Sequence, residues 1–384
     1  MDYSGVALTT PGSFGYTRPS PHRVPWFFAG ALRTLLERSG VGRDEVDGLV
    51  IASYRLAPDN AASLVEHMGM RCRFLCDLPY GGASGVMAAR RAARAVQAGD
   101  PDVPACLAAD VPPAGPAALA NFSTFSRDHV VPYGAPGPNG VFALITDAYM
   151  QANGATREQF GRLCVALRAN GARYPGALQP RPLSLDEYLG ARMISTPLGL
   201  YDCVMRCCGA EGFLVMSAER ARRLGLRHAA IAGAIERHDG TVPQPVQSAL
   251  YDDGDRAALW RQAGIGPADI DLLQAYDDYP VIVALQVESL GWCAAGEGLR
   301  FLLDHDLSAE GDFPLNTNGG MLAQGQAGAA GGFQGLTETL RQLTGEARGP
   351  AVPDARFGLV SCYGTVNYDR GLCASAAILT REAR

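Results

Sequence analysis

Four short segments carry the side chains and glycines that chemistry would need. The first is Tyr80-Gly81-Gly82-Ala83-Ser84-Gly85, between an apolar stretch and an Ala/Arg-rich run. Glycines there permit a tight turn, and the amides opening a helix favour an anion or oxyanion. The segment lacks the Gly-x-Ser-x-Gly spacing of a nucleophile elbow, because Val86 stands two residues after Ser84. The second runs from Asn316 to Gly332 and holds six glycines, which lets backbone approach a ligand closely. The third is Gln274-Ala-Tyr276-Asp277-Asp278-Tyr279-Pro280, two carboxylates between two phenols after an apolar strand. Ligands of α/β proteins bind at that end of a strand. The fourth is Ser361-Cys362-Tyr363-Gly364 through Asn367-Tyr368-Asp369-Arg370-Gly371. Each has a plainer reading when taken alone: a structural turn, a flexible linker, a solvated acidic turn and a polar hairpin.

Composition removes several chemistries. All 33 basic residues other than histidine are arginine, and there is no lysine. A Schiff base or a Walker-type phosphate loop is therefore impossible. GC-rich coding accounts for the bias without any functional cause. A net charge of −6 argues against nucleic acid or anionic lipid as a main partner. No run of about 18 apolar residues suggests a membrane span. The N-terminal residues lack the pattern of a signal peptide, so the ten cysteines read as reduced thiols of a cytoplasmic protein. Cys203, Cys207 and Cys208 have no CxxC spacing and no nearby histidine, and the six histidines are scattered, so no metal site is expected.

Elements must hold these segments in place. Val24 to Leu36 has helical apolar spacing, Gly48-Leu-Val-Ile-Ala-Ser53 reads as a buried strand, and Ala83 to Val96 as a helix with a small-residue face. Ala105 to Asp110 reads as another strand. This alternation predicts a largely parallel sheet with crossover helices. From about 111 to 198 six prolines between Pro112 and Pro138 punctuate a loop-rich insert with its own short helices. The second half repeats the theme. Val41 to Val50 and Ile265 to Leu273 both read helix, glycine turn, acidic residue, Val/Ile-Asp, then apolar strand. Two α/β halves follow as an expectation, 1–225 with the insert and 226–384.

Taken together and in order, the segments resemble the thiolase superfamily over nearly the whole chain. Within it they are similar to the sterol-carrier-protein-x-like branch, which includes steroid side-chain aldolases. Gly82-Ala83-Ser84-Gly85 falls on Cys-Ala-Ser-Gly, and Pro197 through Asp202-Cys203 resembles Pro-Leu-x-x-x-Asp-Cys. Tyr276-Asp277-Asp278-Tyr279 falls on Asn-Glu-Ala-Phe, Gly325-Gln326 on Gly-His, and Cys362-Tyr363-Gly364 on Cys-x-Gly. The resemblance implies a layered αβαβα thiolase fold of duplicated α/β halves, and a homodimer. It also implies a small OB-fold, zinc-ribbon partner of the DUF35 type, in a heterotetramer.

The departures redirect the chemistry. The nucleophilic cysteine is Gly82 and the activating histidine is Gln326, which cannot act as a base near neutral pH. Acyl transfer through the usual cysteine is improbable unless Cys76, six positions earlier, replaces it. Retro-aldol cleavage of a β-hydroxyacyl-CoA needs only a base for the hydroxyl and donors for the thioester enolate. By resemblance, the substrate is a steroid side-chain CoA thioester, cleaved to a ketone and a short acyl-CoA such as propionyl-CoA, with no cofactor. Tyr276 and Tyr363 are the expected acid/base pair if neighbours lower their pKa, with Tyr279 and Tyr368 in reserve and Asp277 orienting a tyrosine. Gln326, Cys362 and the amides around Gly82 and Gly325 are expected to bind the thioester. Two rivals remain: a thiolase-like acyltransferase or Claisen enzyme working with a partner, and a non-catalytic acyl-CoA scaffold.

Overall fold

The computed structural model describes residues 2–112, 124–134, 137–238, 246–367 and 369–381. Its strands are β1 (Val6–Thr17), β2 (Gly48–Ala52), β3 (Phe74–Asp77), β4 (Pro104–Asp110), β5 (Met193–Ser195), β6 (Leu198–Gly199), β7 (Cys208–Ser217), β8 (His228–His238), β9 (Leu272–Ala275), β10 (Phe357–Asn367) and β11 (Arg370–Arg381). Nine of them form one sheet in the order β3-β2-β4-β7-β1-β8-β11-β10-β9, and β5 pairs with β6.

That order is nearly a palindrome. The first half runs third, second, fourth, fifth, first in its own strand sequence. Beyond the seam the second half runs first, fifth, fourth, second. The missing third place is marked by a lone parallel bridge, Leu273 to Leu315. The halves meet where β1 and β8 share only two antiparallel rungs, Leu8 with Ala229 and Thr9 with His228. The weak repeat near Val41 and Ile265 therefore marks a duplicated unit, and the chain has the expected thiolase-type α/β fold.

Strand alternation sorts the apolar side chains into three cores, which is how a sheet covered on both faces must read. Leu49, Ile51, Ala105 and Leu107 face outward onto the helix Val24–Ser39. Val50, Ala52, Cys106 and Ala108 face the middle, as do Val360, Cys362, Ala377 and Leu379 from the second half. Leu359, Tyr363, Ala376 and Ile378 face the far outer layer, with the wholly buried helix Pro280–Leu290. The middle layer holds two helices, Ser84–Ala98 and Gly331–Thr344. Between β4 and β7 the insert supplies the helices Pro138–Asn153 and Arg157–Ala172. The fourth segment is a hairpin, the plainer reading of its sequence, with β10 continuing through Ser361 to Asn367 before β11 returns. Ten rungs to β11 satisfy its backbone.

The two middle helices touch through glycine. A Cβ on Gly85 would lie 1.9 Å from the carbonyl oxygen of Gly332, and one on Gly332 would lie 2.3 Å from that of Gly82. No flexible side chain can yield there, since the obstacles are backbone. Gly85→Ala should cost at least about 1–3 kcal/mol of stability, read as a lower urea midpoint with an unchanged slope.

Candidate active site

The first three motifs, and Tyr363 from the fourth, converge where the middle helices begin. Tyr276 leaves β9 with its backbone clamped. Its N–H donates to Ser361 O at 2.9 Å, and its carbonyl accepts from the buried Gln286 amide at 2.7 Å. Its ring fills the space above Gly82. A Cβ built on Gly82 would stand 2.3 Å from that ring and 2.3 Å from the Tyr363 carbonyl oxygen. So the position of a thiolase nucleophile is not merely empty of a side chain: the phenol of Tyr276 occupies the room.

The Tyr276 hydroxyl donates to Asp278 Oδ2 at 2.9 Å. The Gln326 side chain also hydrogen-bonds it. Asp278 Oδ1 is buried with no partner, and burial pushes the Asp278 carboxyl from 3.8 up to about 7. Its charge is felt by Tyr54, Tyr276, Tyr279 and Tyr363. Burial first, and Asp278 second, raise the Tyr276 phenol well above its ordinary value. A carboxylate poised near neutrality thus sits against a phenol that keeps its proton. This reverses the expectation of lowered tyrosine pKa values, because these hydroxyls are desolvated beside an anion rather than a cation.

The other expected residues fall into place unequally. Tyr363 is fully buried with its ring centroid 6.5 Å from that of Tyr276. Its hydroxyl, however, bonds Gln247 and the N–H of Gly371 rather than the Asp278 carboxylate. Tyr279 stacks on Phe142 at 4.0 Å and bonds Asn139 through its hydroxyl. Tyr368 lies outside the described residues. Cys362 gives its thiol to Gly332 O at 3.4 Å, and burial pushes it to about 12.

Two roles need correction. Asp277 does not orient a tyrosine: its oxygens accept from the N–H groups of Met321 and Leu322 at 2.8 and 3.3 Å, capping the short helix Gly320–Gln324. The amides at Gly325 and Gln326 are not free for a thioester either. They donate to Met321 O and Met205 O at 3.0 and 2.8 Å. The Gly82 N–H serves the Tyr54 hydroxyl. Cys76 lies within β3 opposite Val50, with Arg91 and Cys106 as its electrostatic neighbours, and does not replace the missing thiol.

Tyr54 was missed by sequence reasoning, and Asp278 was singled out with its neighbours but given no role, though signals existed. Alternation at a strand end puts residues 276 and 278 on one side and 277 on the other. Tyr54 follows β2 at the strand end where α/β proteins bind ligands. Its ring is half exposed while its hydroxyl is tucked so tightly that a Cβ on Gly81 (φ +54°) would overlap it at 1.5 Å.

Comparison with known proteins follows this geometry. Residues 235–379 match the family model described as thiolase C-terminal domain-like. The chain is 29% identical to the 17-hydroxy-3-oxo-4-pregnene-20-carboxyl-CoA lyase of Mycobacterium tuberculosis, over 90% of this chain and 93% of that one. It is 29% identical to a steroid side-chain-cleaving aldolase of Thermomonospora curvata, over 88% and 90%. A solved Ltp2-ChsH2(DUF35) aldolase superposes with a TM-score of 0.83 at 26% identity, covering 99% of this chain and 98% of that one. Residues 235–379 are thus similar to the thiolase C-terminal domain. Over most of its length the chain aligns with proteins named for carbon–carbon cleavage.

The raised carboxyl predicts a pH signature. Folding takes up a proton at Asp278 between its ordinary 3.8 and about 7. In that window the native state binds more protons than the unfolded one, so this group's contribution makes stability fall as pH rises. Asp278→Asn should therefore gain on the wild type, by at least about 1 kcal/mol, when melts at pH 8 are compared with melts at pH 5.

Proposed function

We infer that this chain is a carbon–carbon lyase that cleaves a β-hydroxyacyl-CoA by a retro-aldol reaction. The steroid side-chain class is its substrate, and a ketone and a short acyl-CoA such as propionyl-CoA are its products. The observation that carries the reading is the Tyr276 phenol standing over Gly82 and bonded to Asp278. That arrangement pairs a base with a donor and leaves no room for a nucleophile at that position.

In this reading Asp278 takes the β-hydroxyl proton, directly or through Tyr276. The Cα–Cβ bond breaks, the β-carbon becomes the ketone carbonyl, and the electron pair moves into the thioester enolate. Hydrogen bonds from the Gln326 side-chain Nε2, which lies beside the Tyr276 hydroxyl, and from tyrosine hydroxyls hold that charge, and a buried site strengthens them. The proton then returns to Cα, so nothing is consumed. Lysine is absent, which excludes an enamine. No cofactor beyond the CoA thioester takes part. Tyr363 lies one ring away and shapes the same wall, with Gln247 holding its hydroxyl.

The assembly we propose is a homodimer of two-half chains (1–225 and 226–384), joined in the cytoplasm to a small OB-fold, zinc-ribbon protein of the DUF35 type as a heterotetramer. The open edge of β3 supports the dimer. Its residues alternate between half-buried and exposed, and Leu75 lies 39% exposed there. The Ltp2-ChsH2(DUF35) likeness supports the OB-fold partner. No helix among the described residues is long and apolar enough to cross a membrane.

The test is copurification with the OB-fold partner, incubation with a β-hydroxyacyl-CoA, and identification of ketone and acyl-CoA by mass. Tyr276→Phe and Asp278→Asn should each lower turnover by about 10²–10⁴-fold. The wild-type kcat/KM should rise through about pH 7, following the Asp278 carboxyl. Near-normal turnover in both variants would defeat the reading.

A further inference from the structure

A second reactive arrangement lies beside the tyrosine cluster and takes no part in the lyase chemistry. Cys373 of β11 faces His238 of β8 across the ladder. The Cys373 sulfur is 3.2 Å from His238 Nδ1, and His238 Nε2 is 2.7 Å from Glu236 Oε1. With Nε2–H donating to the carboxylate, Nδ1 presents its lone pair to the thiol. Glu236 stays ionised: burial opposes its charge, but hydrogen bonds from Arg91 and His238 outweigh that and bring it to about 2. Arg90 and Arg91 hold it at 2.9 and 2.7 Å. The order thiol, imidazole, fixed carboxylate is that of a cysteine–histidine nucleophile, and because burial raises the Cys373 thiol it is the imidazole that must draw off the proton.

Its surroundings are equally specific. The hydroxyl of Thr365 borders the Cys373 thiol and has no other partner. Thr365 also adopts φ +57°, a costly conformation for a β-branched residue. The Tyr80 ring packs 5.2 Å from that of His238. Gly364 is the ladder partner of Cys373, and a Cβ there would lie 2.8 Å from the Gly82 nitrogen. The Tyr54 hydroxyl, which accepts from Gly82, also feels Cys373. The thiol therefore stands against the same glycine turn over which Tyr276 lies, reached from the neighbouring strand.

We propose that Cys373, paired with His238, is a nucleophilic thiol that accepts the acyl group of a short acyl-CoA. The Cys373 proton passes to His238 Nδ1 as sulfur bonds the thioester carbonyl carbon. The carbon–sulfur bond to CoA then breaks, and the CoA thiolate takes the proton from the imidazolium, leaving an acyl-Cys373 thioester and free CoA. This activity goes beyond the lyase reading and shares with it only the CoA thioester.

The test uses propionyl-CoA, which has no β-hydroxyl and cannot undergo retro-aldol cleavage, so its outcome is separate from that of the lyase assay. The whole chain is incubated with it, then read by intact mass and peptide mapping. An acyl increment on Cys373, released by hydroxylamine and absent from Cys373→Ser, is expected. His238→Asn, at an exposed position that tolerates change, should slow the increment by at least about 10²-fold. No increment, an increment on another cysteine, or an unchanged rate in His238→Asn overturns the proposal.

Discussion

The reaction centre depends on a steric exchange at residue 82, where an absent side chain admits the ring of Tyr276. Gly82 lies between the Tyr276 ring and the Tyr363 backbone, and its own carbonyl packs on Gly332. Any side chain at 82 would push against the Tyr276 ring and the backbone of β10 at once. That contact fixes the ring, the ring fixes the hydroxyl, and the hydroxyl sits on Asp278. In a close-packed interior such an exchange has two discrete arrangements rather than a continuum. A thiol at 82 and a phenol at 276 cannot share the space.

The electrostatics follow from burial rather than from charge pairing. Desolvation alone carries Asp278 from 3.8 to about 7, while the neighbouring tyrosines move upward. The expectation of tyrosines with lowered pKa values failed because no cation faces them closely enough to outweigh burial. The outcome still suits proton chemistry, with the parts exchanged. In the proposed reaction the carboxylate is the base and the phenols are donors that hold their protons. Asp277, one residue away, has a similar raised value of about 7 from burial but spends its oxygens on two amides of a short helix. Adjacent acids of one kind are thus divided by strand alternation into a structural and a chemical residue.

Duplication explains why the motifs meet. The near-palindromic strand order brings the helices after Gly82 and after Ala330 side by side in the middle layer. Each half then delivers its glycine-rich turn to the same point. The same geometry brings β8 and β11 together and sets Cys373 opposite His238, 135 residues apart in the chain.

The sequence by itself determined the alternation of strands and helices, the repeat, the loss of cysteine and histidine at 82 and 326, and the exclusion of lysine chemistry. The alternation, the repeat and the absence of lysine are properties of residue type and local spacing, whereas the losses at 82 and 326 are what the thiolase resemblance implies. It also placed Tyr276, Gln326, Cys362 and Tyr363 in one neighbourhood. Only the tertiary structure decided which oxygen lies near which hydroxyl. It gave the Tyr276 proton partner as Asp278 and not Asp277, turned the Tyr363 hydroxyl toward Gln247, and closed the Gly325 and Gln326 amides with bonds to Met321 and Met205. It brought in Tyr54 from a strand end and paired Cys373 with His238 across a ladder. The contacts of Tyr363 with Gln247, Gln326 with Met205 and Cys373 with His238 each join segments more than a hundred residues apart. Burial, which sets every proton affinity in the site, exists only once the layers have closed.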